Sequence, residues 1–185
     1  MADPTPRPQL ALTGRGLLTQ SWEIVQSTSG RAITSQLLQG TLIGLRAGDR
    51  VTGLVFCNQA QRGIGTAPTL IEVSLYQTDG TQLVTSGNIA AQAEWTASSN
   101  VWVPAPFTAV YTVPTDDDYY GTFLQNGTWG STQMQLAGVA ASSINGTAVG
   151  SGAKVAVQQA TQATAPASAT FAANTGNVVF WCAPY

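Results

Sequence analysis

Leu70-Ile71-Glu72-Val73-Ser74-Leu75-Tyr76-Gln77-Thr78-Asp79-Gly80-Thr81-Gln82-Leu83-Val84-Thr85 is the stretch that decides the fold. Ile71, Val73 and Leu75 recur at every second position, which places them on one face of an extended strand and leaves Glu72 on the solvent side. Asp79-Gly80 is a strong two-residue hairpin signal, since the tight turn needs positive φ at its centre. Residues 81–85 then read as the returning strand. Working outward, residues 36–45 are mixed apolar and polar, residues 46–49 supply a turn, and residues 51–57 form a continuous apolar run of strand length. A polar loop follows over residues 58–66. Further strands are predicted over residues 107–113, 119–124, 134–140 and 177–182, and residues 88–95 are predicted as one short helix. Strands spaced by roughly 8–12 residues with turn signals between them indicate an antiparallel β-sandwich or barrel. No strand–helix–strand alternation supports a parallel sheet. From residue 137 to 175 the chain is small and polar, which predicts long loops with thin edge strands or a surface that packs only under a neighbour.

Composition narrows the function. The chain has 185 residues, 44% hydrophobic but only 9% charged, and one lysine, Lys154. Disorder needs the opposite balance. A net charge of −2 offers no basic footprint for a phosphate backbone, so no nucleic-acid partner is expected. Histidine is absent. That removes Ser-His-Asp and Cys-His nucleophilic arrangements, imidazole general bases and His-ligated metals. No apolar run approaches the ~20 residues of a membrane span, and no secretory signal is visible, so synthesis in a cytoplasm without a membrane partner is expected. Prolines at positions 4, 6 and 8 make the start an extended arm. Residues 1–20 are read as that arm and residues 21–185 as a single domain.

The side chains that could carry chemistry read more simply as structure. Asp116-Asp117-Asp118 could ligate Ca²⁺, but its spacing is not that of a calcium loop and it reads as a solvated turn. Glu72, Glu94, Asp79 and Asp49 are the candidates for a hydrolytic carboxylate pair. Asp79 and Asp49 are used by turns, Glu72 faces solvent, and Glu94 has no identifiable partner. The expectation is therefore a protein that is not an enzyme, with no cofactor and no metal. Cys57 and Cys182 each end an apolar run and read as buried, reduced thiols. Five tryptophans stand at 22, 95, 102, 129 and 181. Trp181 alternates within an apolar strand, whereas Trp102 and Trp129 lie in loop-like contexts and are surface candidates. Asn126-Gly127-Thr128 and Asn145-Gly146-Thr147 match a glycosylation sequon but read as turns.

Four segments share a further pattern. They are Leu45-Arg46-Ala47-Gly48-Asp49-Arg50-Val51-Thr52, the hairpin from Val73 to Leu83, Val103-Pro104-Ala105-Pro106-Phe107 running on to Pro114, and Asp118-Tyr119-Tyr120-Gly121-Thr122-Phe123 running on to Thr128. Their order resembles a jelly-roll-like β-sandwich domain of virion structural proteins of tailed bacteriophages, particularly those of actinobacterial hosts, over about residues 36–130. The resemblance implies an all-β, antiparallel jelly-roll-like β-sandwich with an extended N-terminal arm. It also implies a place in the virion, on tail fibres, baseplate parts or capsid-decorating proteins. A tail fibre needs a longer shaft or repeats, so a capsid decoration (minor capsid, cement) protein is expected, with a tail-tip or tail-fibre receptor- or carbohydrate-binding module as the alternative. Its partners would be the major capsid protein or another virion protein, and copies of itself, a trimer being favoured. The candidate interface residues are Pro4, Pro6, Pro8, Leu10, Leu12, Leu17 and Leu18 of the arm together with Trp102 and Trp129.

Overall fold

The structure, a computed structural model, describes residues 16–21, 29–60, 68–96, 101–127, 134–140, 156–173 and 178–185. Among them are twelve strands: β1 (Ser29–Ala32), β2 (Leu38–Leu45), β3 (Arg50–Ala60), β4 (Leu70–Gln77), β5 (Gln82–Thr85), β6 (Val101–Thr112), β7 (Asp117–Asn126), β8 (Gln135–Ala140), β9 (Ala156–Gln159), β10 (Ala172–Ala173), β11 (Val178–Phe180) and β12 (Cys182–Pro184). They form two antiparallel sheets packed face to face. The first runs β1-β8-β3-β6, with β11 against β8 and β12 against β3; the second runs β10-β9-β2-β7-β4-β5. The pairings β1 with β8, β2 with β7, β3 with β6 and β4 with β5 nest inside one another around the β4–β5 hairpin.

The alternation that predicts β4 also fills the core. Ile71, Val73 and Leu75 point inward with Ile43, Leu45 and Phe123, and meet Leu54, Phe56, Val103, Leu136 and Phe180 of the first sheet. Phe123 sits at the centre, its ring edge-on to Phe56 at 5.3 Å, Trp95 at 5.5 Å and Phe180 at 6.2 Å. Residues 88–95 do not form the predicted helix. Only a 3-10 turn at Ala93–Thr96 is present. The start of the segment is bonded to β4 instead: Ile89 N–H donates to Ile71 O at 2.8 Å, and Asn88 Oδ1 accepts from Ile71 N–H at 3.2 Å. Such tertiary pairing overrides a local helical preference. The segment instead delivers fully buried Trp95 to the core.

Strand β6 begins at Val101, six residues earlier than predicted. Pro104 and Pro106 are tolerated because β6 is an edge strand. Being two residues apart, they remove N–H groups on the same side, the free edge facing away from β3. Between Gly53↔Pro106 and Val51↔Tyr111 the register shifts. There β6 bulges toward β5, and the Thr108 hydroxyl donates to the Thr85 carbonyl at 2.9 Å.

Within the small, polar stretch, described residues 156–173 behave as the first of the two predicted alternatives. β9 extends the second sheet beside β2, and residues 160–171 fold back over that sheet's outer face. Tyr76 donates to Pro166 O at 2.6 Å, and Phe171 stands edge-on to Tyr76 and Tyr120 at 5.4 and 5.3 Å. The Gly80 turn is clamped by this segment: Ala169 N–H donates to Gly80 O at 2.8 Å. A Cβ at Gly80 would lie 1.9 Å from Ala169 O, at a φ of 95°, so only glycine fits. Glu72, expected to face solvent, is partly covered by the same segment and accepts from Ala165 N–H at 2.6 Å.

Candidate functional site: the outer face of the first sheet

In β3 the apolar run 51–57 points both ways. Leu54 and Phe56 face the core, whereas Val55 and Cys57 face outward. A run without alternation is what a strand covered on both faces requires. β12 pairs Cys182 with Phe56 and Ala183 with Val55. Trp181 therefore lands beside Cys57 on the outer face, where it is 1% exposed in a cluster with Leu17, Ala137 and Ala183. Leu17 is held there by the strip that follows it. Leu18 N–H donates to Pro184 O at 2.9 Å, Ser21 N–H to Cys182 O at 3.0 Å, and Cys182 N–H to Ser21 Oγ at 3.1 Å. Leu17 and Leu18 thus pack on their own domain, Leu18 against the main core.

Among the described residues the cover stops short of the β6 edge. Trp102 is 44% exposed, with its ring edge-on to Trp181 at 5.0 Å. Beside it is an open groove of about 520 Å³ lined by Leu17, Val55, Trp102 and Pro104. None of these described lining residues carries a charge or a titratable group. The groove can bind apolar surface, and its described lining holds no group that could act as acid, base or nucleophile.

Both cysteines are free and buried. The β3–β12 register puts them on opposite faces of the sheet, Cys182 inward and Cys57 outward. Burial pushes the Cys182 thiol up to about 12, against a smaller opposing effect of Ser21, and also raises Cys57. Neither is a poised nucleophile, since the thiolate is the reactive form.

The acidic residues build turns. Asp116 accepts from Ala47 N–H at 2.7 Å, Asp49 from Arg46 N–H at 2.9 Å, and Asp79 from Thr81 N–H at 2.8 Å. Among the described residues no three His, Cys, Asp or Glu side chains are grouped to hold a metal.

Of the residues singled out from the sequence, Leu17 and Trp102 come together at this groove. Pro4, Pro6, Pro8, Leu10, Leu12 and Trp129 lie outside the described residues. Val55, Pro104 and Trp181 belong to the face but were not singled out as surface residues. The lack of alternation in residues 51–57 was the available signal for Val55. No family model matches the chain, and neither a curated protein nor a solved structure is significantly similar to it.

Proposed function

We propose that the chain is a virion structural protein of the tailed-bacteriophage type, a capsid decoration protein that binds the capsid surface and stabilises it. The observation that carries this reading is the apolar groove on the outer face of the first sheet, flanked by exposed Trp102. Aromatic anchors in apolar patches are what assembly interfaces use. The nested pairing of β1 to β8 around one hairpin supports the jelly-roll reading of the sandwich, the architecture of many capsid domains. The partners in this reading are the major capsid protein or another virion protein, and further copies of the chain in a trimer. Its place is the virion, and it has no catalytic role. A mass measurement of the free protein, combined with its detection in purified capsids that lack tails, tests the proposal. A trimer that is retained on tail-less capsids is expected; a protein found only in tail fractions would contradict it.

Trp102 also favours a second reading, a tail-tip receptor- or carbohydrate-binding module, because exposed indole faces stack on sugars. Quenching of tryptophan fluorescence by host-surface glycans, saturable and lost in Trp102→Ala, would establish that reading instead.

A further inference from the structure

Residues 1–15 lie outside the described residues, but their sequence holds a pattern that the groove matches. Pro4, Pro6, Pro8, Leu10 and Leu12 occupy every second position, with Thr5, Arg7, Gln9 and Ala11 between them. In an extended chain all five would share one face, repeating every ~6.6 Å. Three of the five have no N–H, so such a strip is unsuited to a sheet interior and suited to docking by side-chain contact.

On β6, Trp102, Pro104 and Pro106 stand exposed on one face at the same every-second-residue spacing. The register sets Cys57, Val55 and Gly53 directly beside them. The β6 edge, with Pro104 and Pro106 in it, refuses an added strand but presents a flat apolar row. Prolines keep such a segment extended, so it loses little entropy on docking.

We propose that this groove receives residues 4–12 of a second copy of the chain. The inference rests on the homo-oligomer reading above and names its contact. A second copy fits because Leu17 and the residues after it already occupy the strip along β12. Gly16 is exposed and precedes Leu17, which lines the groove. The residues before it can reach ~45 Å when extended, enough to cross to a neighbour.

Complementation between two defective proteins tests the exchange by sedimentation velocity. Trp102→Ala/Pro104→Ser keeps the arm and loses the groove; deletion of residues 1–13 keeps the groove and loses the arm. The expected result is an oligomeric wild type, two monomeric variants, and a two-chain species when the variants are mixed in equal amounts. Thermal midpoints close to wild type establish that each variant is folded. If the deletion unfolds, Leu10→Asp/Leu12→Asp replaces it. Variants that keep the wild-type mass, or monomers that do not complement, overturn the inference while the oligomer reading stands. A monomeric wild type overturns the oligomer reading itself. Trp102 that then becomes more quenchable on deletion would place the arm on its own copy's groove.

Discussion

The two sheets treat their outer faces differently. On the second sheet Tyr76, Tyr120, Leu38 and Leu124 are roofed by residues 160–171 of the same chain. On the first sheet Leu17 covers Cys57 and Trp181 but leaves Val55, Pro104 and Trp102 around a groove. Both faces are apolar, so the contrast is one of cover. A face closed by its own chain contributes to folding, whereas one left open is available for assembly, at the cost of exposed apolar area. The roof itself is made of Ala, Ser, Thr, Gln and Pro with one aromatic, Phe171. It works because backbone hydrogen bonds to Gly80, Gln82 and Glu72 hold it in place.

The largest effect should come from breaking the closed face. Tyr76→Ala removes a fully buried ring and its bond to Pro166, and should cost about 3–5 kcal/mol in denaturant-midpoint measurements. Gly80→Ala forces a Cβ against Ala169 O at positive φ and should cost about 1–3 kcal/mol, accompanied by proteolytic access to residues 160–171.

A third expectation concerns pH and the buried thiol. Cys182 stays protonated in the folded state up to about 12, whereas the unfolded thiol ionises at its ordinary 9.0. Its folded value is raised, so the stability it contributes is present below pH 9 and lost as pH rises toward 12. The slope is about 1.4 kcal/mol per pH unit in that window. Wild type should therefore lose more stability than Cys182→Ala between pH 8.5 and 10.5. Equal losses would show that burial of the Cys182 thiol contributes nothing to the pH dependence.

The smallest stability effect should be at the open face. Trp102→Ala should cost no more than about 1 kcal/mol, because much of its ring is already solvated. A loss as large as that of Tyr76→Ala would mean that the two faces are not different in kind.

The sequence was most legible where one physical signal dominated. Alternation at Ile71, Val73 and Leu75 and the Asp79-Gly80 turn located the hairpin, and strand-length segments located β3, β7 and β8. β1 and β9 carry little apolar alternation, because their positions are set by pairing with β8 and β2 rather than by their own side chains. The helix expected over residues 88–95 failed because its first residues bond to Ile71 of β4, a tertiary contact that no local pattern shows. Pro104 and Pro106 allow only a bent edge strand, and β6 lies at an edge; what was not legible is its start at Val101. Trp102 was legible as a surface tryptophan. The groove beside it was not, because it needs Leu17, Val55 and Pro104 brought together from three distant segments.

Binding of the purified protein to tail-less capsids, wild type against Trp102→Ser, tests most directly whether the open face is the assembly surface. Both proteins should melt at nearly the same temperature, and the variant should bind at least about tenfold more weakly. Equal binding by the two would contradict the account.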